Sequence, residues 1–323
     1  MTDSAAAFYE ALRDEIETVL IGKTDLVEHL TLSLLSDGHV LMEGVPGVAK
    51  TTVANLFARA TGLDVNRVQM TPDLMPADIT GTHVYNQTTG EFTLQKGPVF
   101  GNVVVADEIN RTTPKTQSAL LEAMQERTVT VQGETLALPE PFFVVATQNP
   151  IEMEGTFELP VAQRDRFQLK LDVGLPTREE ERRLLARFDS NPDLGPQDVT
   201  QVVTHDDLAA ARADASNVYI DERVVDYVLD IVAATRDSAD VDHGVSPRGA
   251  LALQRTSKAR AAVDGRDYVV PDDVKALAVP ALNHRLVLST DAEISDVSSV
   301  AVIEDVLDSV TPPGAEDVRP NAA

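Results

Sequence analysis

The chain has 323 residues, of which 52 are acidic and 27 basic, so its formal net charge is −25. It contains no cysteine, which excludes a disulfide framework and a thiolate metal site. No run approaches the ~18 consecutive apolar residues that a membrane span needs, and the acidic residues near the first methionine are unlike a secretory signal. We therefore expect a cytoplasmic protein of two globular domains, without direct membrane insertion.

The excess of carboxylates also indicates which partners and solvents suit the chain. Only seven of the 27 basic residues are lysine, and aromatic residues make up 4 % of the sequence. Nucleic-acid partners need basic patches and stacking aromatic rings, so we expect none. A surface this acidic repels itself in dilute buffer, whereas in molar salt the Debye length falls to about 3 Å and the repulsion is screened. We hypothesise a cytosol of very high salt, as in a halophilic archaeon.

Apolar periodicity predicts an α/β fold in the first half of the chain. Two amphipathic helices over residues 5–20 and 25–36 precede a buried strand, and a third helix follows it. The predicted strands are His39–Met42, Asn102–Ala106, Phe142–Thr147 and Phe167–Val173, and the later helices are Thr51–Ala60 and one that begins at Pro114 with Thr113 as its N-cap. Apolar strands separated by helices form a parallel sheet that is covered on both faces.

Two segments interrupt this alternation of strands and helices. Thr82–Phe100 is predicted to form a hairpin that turns at Thr89-Gly90, inserted ahead of the second strand. Thr128–Leu138 is predicted to form another, which turns at Gln132-Gly133.

The pattern changes after Gly174-Leu175-Pro176 and is helical almost throughout from there. We therefore predict a core α/β domain over residues 1–175 and a small all-α domain of about five helices over 176–310. Residues 311–323 are rich in proline and small side chains, and we expect them to be frayed or disordered.

The turn after the first strand has the composition of a phosphate-binding loop. Its sequence is Gly44-Val45-Pro46-Gly47-Val48-Ala49-Lys50-Thr51, whereas the general pattern has glycine immediately before the lysine. The residue at that point lies where the loop becomes a helix, so we expect right-handed dihedrals that tolerate the methyl group of Ala49. Taken alone, the segment would also fit a bare turn with Lys50 in solvent.

As a phosphate loop, the segment would hold a nucleoside triphosphate by its backbone amides and by the start of the following helix. Gly44 and Gly47 permit a sharp bend or a close approach to phosphate oxygens. Lys50 would reach the β- and γ-phosphates, and the Thr51 hydroxyl would bind Mg²⁺. The predicted nucleotide-binding residues are Gly44, Gly47, Val48, Ala49, Lys50, Thr51 and Thr52.

Polar side chains follow the second and third predicted strands. Asp107 and Glu108 end the second one, where two adjacent carboxylates are costly to bury without a cation or another partner. In a triphosphatase Asp107 holds Mg²⁺, directly or through water, and Glu108 polarises the attacking water as general base. Asn149 follows the third strand and could orient that water or contact the γ-phosphate, although asparagine before proline is more often a turn residue.

Two arginine sites come later in the chain. Arg164 and Arg166 lie just before the last apolar strand, and Arg248 opens a helix of the second domain behind its predicted cap, Ser246. An arginine that clamps phosphate oxygens in the transition state raises the rate by ~10³–10⁵. By position alone, a surface ion pair is the more common use of such an arginine.

The ordered motifs GVPGVAKT, VVVADEINR, ATQNP, LPVAQRDRF and SPR resemble those of the MoxR-type AAA+ ATPases, in the clade with an insert in helix 2. The resemblance covers about residues 15–290, and alanine before the loop lysine is usual in that family. It implies an αβα core with a helical lid, ATP and Mg²⁺ as ligands, and assembly into a hexameric ring. It also implies chaperone-like work on protein complexes, commonly with a partner that carries a von Willebrand factor A domain.

The resemblance further assigns roles to single residues. Asn149 corresponds to sensor 1, and Arg248 to a sensor 2 that reaches the γ-phosphate from the lid of the same subunit. Arg166 corresponds to the arginine finger that the neighbouring subunit supplies, with Arg164 as a nearby competitor. The two hairpins correspond to the helix-2 insert and to the insert before sensor 1.

Other functions fit parts of the same pattern. A magnesium-chelatase ATPase subunit shares most motifs and differs in its client. A nucleotide-gated scaffold would bind ATP with little hydrolysis. A GTPase is disfavoured because an Asn-Lys-x-Asp guanine motif is missing from the sequence, and a DNA-loading ATPase because the chain lacks a basic tract.

Overall fold

The computed structural model describes residues 3–88, 90–150, 155–316 and 318–319. Its strands are β1 Val40–Glu43, β2 Val65–Gln69, β3 Gly81–Asn86, β4 Glu91–Lys96, β5 Val103–Asp107, β6 Thr128–Val131, β7 Glu134–Ala137, β8 Phe143–Gln148, β9 Leu169–Asp172, β10 Val241–His243 and β11 Val287–Leu288. Its α-helices are α1 Asp3–Glu17, α2 Thr24–Leu35, α3 Lys50–Thr61, α4 Pro76–Thr80, α5 Pro114–Glu126, α6 Val161–Arg164, α7 Arg178–Ser190, α8 His205–Asn217, α9 Glu222–Asp237, α10 Pro247–Val263, α11 Pro271–Leu282, α12 Thr290–Ile294 and α13 Ser299–Ser309.

The core is the predicted αβα sandwich around a parallel sheet of order β2-β5-β8-β1-β9. Successive residues of a strand point to opposite faces, so Val103 and Val105 of β5 pack in one hydrophobic cluster while Val104 and Ala106 pack in another. All four side chains are fully buried. Burial on both faces explains why this strand is an unbroken apolar run in the sequence.

Strand β2 is absent from the sequence prediction. It lies at the edge of the sheet and pairs only with β5 among the described strands. Its sequence, VNRVQ, alternates apolar and polar residues, and only Val68 is buried. An edge strand with one wet face lacks the continuous apolar run by which the other strands were recognised.

Both predicted hairpins form outside the sheet. β3 and β4 pair antiparallel from Gly81↔Lys96 to Asn86↔Glu91, although Thr89 of the predicted turn lies outside the described residues. β6 and β7 turn at Gln132 and Gly133, both with positive φ, as a tight hairpin connection requires.

The helical segment begins at Arg178, where Thr177 caps α7 and accepts a hydrogen bond from the Glu180 amide. The described part of the chain has seven α-helices from there on, two more than the estimate of about five, and a short β10–β11 pair between them. Helix α1 packs against α8 and α10 as well as against α2 and α3. The first helix therefore packs between helices of the core and helices of the lid.

The last residues are less regular than the helices before them. Residues 311–314 form neither helix nor strand. Val318, however, is fully buried against the main hydrophobic cluster, so the tail prediction is wrong at that residue. Among the described helices, none is both long and apolar enough to cross a bilayer.

Candidate active site

The loop between β1 and α3 contains two residues with left-handed backbone. Gly47 has φ 85°, and a Cβ there would meet no heavy atom within 4 Å, so glycine is needed for its dihedrals rather than for space. Ala49 has φ 66° and ψ 21°. The expected right-handed backbone at Ala49 is wrong, and this alanine occupies a region that costs a non-glycine residue about 1–2 kcal/mol.

Gly44 serves a different purpose from the one expected. A Cβ at Gly44 would lie 2.3 Å from the carbonyl oxygen of Val173, so glycine lets the loop pass against the end of β9. Its amide donates to the Gln148 carbonyl at 3.3 Å. The loop is thus fixed to the ends of both strands beside β1.

Lys50 is the first residue of α3, and its side chain folds back over the loop. Its Nζ donates to the carbonyl oxygens of Gly44 and Val45 at 2.5 and 2.9 Å. The loop from Pro46 to Ala49 and the first helical residues, Lys50 to Thr52, face one cleft. Amides at a helix N-terminus and a lysine in the same cleft form a site for an anion such as phosphate.

Asp107 is nearly enclosed, with 3 % of its surface exposed, yet each carboxylate oxygen has a donor. Oδ1 accepts from the hydroxyls of Thr51 at 2.7 Å and Thr147 at 3.3 Å. Oδ2 accepts from Arg67 Nε at 2.6 Å. These bonds compensate the loss of hydration and fix the carboxylate beside the hydroxyl of the loop threonine.

Glu108 turns the chain sharply out of β5. Its φ of 57° and ψ of 53° lie in the left-handed region, which is uncommon for glutamate and is concentrated at functional sites. Its amide donates to Thr147 Oγ1 at 3.0 Å, and Oε2 accepts from Gln69 Nε2 at 2.6 Å and Arg111 Nη1 at 2.9 Å. The carboxylate therefore has a defined position at the mouth of the cleft.

Asn149 follows β8 as predicted and is buried. Its carbonyl accepts a hydrogen bond from Asn110 Nδ2 at 3.3 Å. The structure brings it together with the loop and both acids around one cleft of about 370 Å³, lined by Pro46, Gly47, Val48, Ala49, Lys50, Thr51, Thr52, Arg67, Gln69, Asp107, Glu108, Thr147, Gln148 and Asn149. Of the predicted binding residues, only Gly44 does not line this cleft.

The two predicted arginines do not join that cleft. Arg166 and Arg248 line a second pocket, of about 240 Å³, with Gly38, His39 and Gln168, which precede β1 and β9. This pocket is at the amino edge of the sheet, whereas the phosphate loop is at the carboxyl edge. Four residues of strand separate the edges by about 13 Å. The expectation that Arg248 reaches a phosphate of its own subunit is therefore wrong.

The segment before β9 is held firmly to the lid. Asp165 accepts from Arg285 Nε at 2.8 Å and from Ser246 Oγ at 3.1 Å. Ser246 is the predicted cap of α10, and its hydroxyl accepts from the Arg248 amide at 3.2 Å. Arg166 and Arg248 are thus neighbours of a single network that joins core and lid.

A third pocket lies next to the phosphate loop. Lys23 donates from Nζ to the Gly174 carbonyl at 2.6 Å, which places the start of α2 at the carboxyl edge beside β9. The pocket measures about 640 Å³ and is lined by Glu17, Leu20, Ile21, Gly22, Lys23, Thr24, Asp25, Glu180, Arg183, Ala186 and Arg187. Helix periodicity gives no signal for it, because its walls combine the end of α1, the start of α2 and the loop between them with α7, which is distant in the sequence.

The oxygens around Thr51 and Asp107 fit Mg²⁺ bound together with a phosphate. A hydroxyl and a carboxylate 2.7 Å apart are hard oxygen ligands, the kind that Mg²⁺ prefers. Within the described residues, no group of three or more His, Cys, Asp or Glu side chains could hold a metal alone. Mg²⁺ at this point would therefore need phosphate and water to complete its shell, as is usual for this ion.

The sequence prediction missed four side chains that position the acids: Arg67, Gln69, Arg111 and Thr147. Arg67 and Gln69 lie on β2, which was not recognised as a strand. Thr147 lies inside the predicted strand Phe142–Thr147, where a polar residue among apolar neighbours was the available signal.

Comparison with known proteins defines the class of this fold and site. Residues 39–169 match the model of an ATPase family associated with various cellular activities, and residues 233–306 match an AAA lid domain. A crystal structure of a candidate ATPase from Cytophaga hutchinsonii superposes with a TM-score of 0.88 and 39 % identity, covering 97 % of this chain and 98 % of that one. The protein therefore has the α/β core and the helical lid of the AAA+ class.

The chain belongs to the MoxR family. It is 46 % identical to the chaperone MoxR1 of Mycobacterium tuberculosis, over 93 % of this chain and 81 % of that protein. Similarity to magnesium-chelatase subunit ChlI-1 of Arabidopsis thaliana is lower, at 30 % identity over 57 % of this chain and 43 % of that protein. AAA+ proteins generally form rings.

Proposed function

We propose that this protein hydrolyses ATP to ADP and phosphate in order to remodel or mature partner protein complexes. The observation that carries the proposal is the convergence of the phosphate loop, Asp107, Glu108 and Asn149 on one cleft. Loop amides and Lys50 bind the phosphates, and Thr51 and Asp107 would hold Mg²⁺, which would neutralise charge on the phosphate oxygens.

Glu108 accepts a proton from the attacking water, whose oxygen forms a bond to the γ-phosphorus. The bond from that phosphorus to the β–γ bridging oxygen breaks, so ADP and phosphate leave. Asn149 orients the water.

The opposite positions of the two sites support hydrolysis at a subunit interface. In a ring with head-to-tail contacts, the carboxyl edge of one sheet faces a different surface of the next subunit. Arg166, or Arg164 beside it, and Arg248 then act on the nucleotide of the neighbour. Arg164 Nε and Arg166 Nε are both buried without an acceptor among the described residues. Either arginine therefore has a free donor for the neighbour's phosphate. We propose a hexamer.

The pocket behind Ile21 and Gly22 is the proposed adenine site. Its Lys23 donates to the Gly174 carbonyl, and the preceding residue, Val173, lies against Gly44 of the loop. The pocket combines the apolar wall of Leu20 and Ile21 with polar groups of α7. Such a mixture suits a planar base with hydrogen-bonding edges.

The client on which this ATPase acts is proposed to be a protein. By family, a partner with a von Willebrand factor A domain is the first candidate. A magnesium-chelatase-like subunit is the alternative, and the shorter match to that family disfavours it. The charge of −25 favours protein partners over nucleic acid, and it supports a cytoplasm of high salt as the working solvent.

Two variants test hydrolysis separately from binding. Lys50→Ala should abolish ATP binding, because it removes the charge that pairs with the phosphates. Glu108→Gln should bind ATP with the affinity of the wild type but should not hydrolyse it. If the protein were a scaffold without hydrolysis, the wild type would show no turnover either. Persistent turnover in Glu108→Gln would mean that the base is misassigned. The ATP-trapped variant can then capture the client from native extract.

A further inference from the structure

The pocket at the amino edge contains further arginines besides Arg166 and Arg248. Five arginines and two aspartates line it, on a chain whose net charge is −25. Clustering scarce bases in one cavity is electrostatically unfavourable unless an anion enters it.

Both carboxylates of the pocket already have partners. Asp37 pairs with Arg127 at 3.0 Å and with Arg212 at 3.5 Å. Asp165 pairs with the buried Arg285 at 2.8 Å. Arg127 and Arg285 also donate to backbone carbonyls, of Phe142 and Phe167 among others. These two arginines therefore build the wall of the pocket.

Three arginines remain: Arg166, Arg248 and Arg255. The described residues provide no carboxylate within 4.0 Å of any of them, and Arg166 Nε is buried without an acceptor. Arg248 and Arg255 are both exposed on α10. They are seven residues apart, two turns of helix, so both point from the same face, about 10 Å from each other along the axis.

We propose that Arg255 is a third arginine of the interface site and contacts the triphosphate bound to the neighbouring subunit, together with Arg166 and Arg248. This inference rests on the proposed function. One anion with several charges is the ligand that three unpaired guanidinium groups fit best, since each can donate two parallel hydrogen bonds to phosphate oxygens.

The rigidity of the wall supports this role. Arg248 lies in the first turn of α10, behind the cap Ser246, which donates a hydrogen bond to Asp165, the residue before Arg166. Arg255 belongs to the same helix, so the three side chains project from one connected unit. Entry of the neighbour's phosphates would satisfy all of them at once.

The test compares steady-state ATP hydrolysis by the full-length wild type, Arg255→Ala, Arg255→Lys and Arg223→Ala. Arg223 is an exposed arginine of α9, paired with Asp221 outside both pockets, so its variant controls for the loss of one charge. We expect kcat to fall about 10- to 100-fold in Arg255→Ala, the effect of one charge-assisted hydrogen bond. Arg255→Lys should recover part of it, and Arg223→Ala should match the wild type.

Mixed assemblies decide whether the contact is made between subunits. Arg255→Ala has an intact cleft, and Glu108→Gln has an intact Arg255, so co-expressed subunits should hydrolyse ATP faster than either variant alone. No gain on mixing, or wild-type kcat in Arg255→Ala, would overturn the inference. If the wild type does not hydrolyse ATP, the proposed function itself fails, whereas turnover in Glu108→Gln means only that the general base is misassigned.

Discussion

Gln69 and Glu108 are joined by a hydrogen bond of 2.6 Å between Nε2 and Oε2, which links the edge strand to the proposed general base. Arg111 donates to the same oxygen at 2.9 Å. Hydrogen bonds to a charged group stabilise it by about 1.5–3 kcal/mol each. Donors concentrated on one carboxylate oxygen favour a single resting conformer of Glu108 and reduce its freedom to take a proton from water.

We expect Gln69→Ala to raise basal ATP hydrolysis, by up to about tenfold if one such bond is lost from the resting conformer. The KM for ATP should change little, because Gln69 contacts the acid rather than the phosphate loop. Steady-state kinetics measures both values, with Gln87→Ala in an exposed turn as the control. Lower turnover in Gln69→Ala would show instead that the bond places Glu108 correctly for reaction.

The two left-handed residues of the phosphate loop predict opposite effects of exchanging alanine and glycine. Gly47→Ala should destabilise the protein by about 1–2 kcal/mol, the cost of left-handed backbone for a residue with Cβ. Ala49→Gly removes the same strain and should stabilise it, by less than about 1 kcal/mol because glycine gains entropy in the unfolded chain. Urea unfolding without nucleotide measures both. Two changes of the same sign would refute the dihedral argument.

His39 is buried before β1, and its ring links two backbone groups by hydrogen bonds. Its Nδ1 accepts from the Val144 amide at 3.1 Å, and Nε2 donates to the Met124 carbonyl at 3.2 Å. Only the neutral ring can accept and donate in this way. Burial and the nearby Arg127 lower the pKa of His39 to about 3, and burial first, then Arg285, also lowers the pKa of His284.

Below about pH 6.5 the unfolded histidine binds a proton that His39 in the native chain does not bind until about pH 3. The free energy of unfolding should therefore fall as the pH drops through this window, by up to about 1.4 kcal/mol per pH unit for each such histidine. We expect a shallower slope in His39→Gln and the wild-type slope in His205→Gln, whose side chain is exposed. An equal pH dependence of the free energy of unfolding in all three proteins would contradict the lowered pKa of His39.

The charge of −25 predicts a steep dependence of stability on salt. Raising KCl to about 1 M shortens the Debye length from about 30 Å at 0.01 M to about 3 Å, which screens repulsion between surface carboxylates. The melting temperature should rise strongly over this range. An uncharged osmolyte at the same osmolality is the control, since it cannot screen charge. A flat response to KCl would rule out the high-salt hypothesis.

How well a residue could be assigned from sequence depended on its neighbours along the chain. Lys50, Thr51 and Asp107 were predicted because a short segment holds both the strand and the side chain that it delivers. Gln69 was missed because its strand lies at the edge of the sheet with a solvent-exposed face, so its sequence has no continuous apolar run. The backbone of Ala49 was misjudged because the sequence does not show which way a loop turns before it enters a helix.

The amino-acid sequence by itself determined the parallel sheet, the phosphate loop, the adjacent acids and the family. These features depend on local patterns, such as apolar runs and residues fixed to strand ends. Only the tertiary structure decided which edge of the sheet each arginine occupies. Arg248 is 198 residues from Lys50 in the printed sequence, and its position depends on how the lid packs against the segment before β9. That packing, through Asp165, Ser246 and Arg285, directs the arginines away from their own phosphate loop.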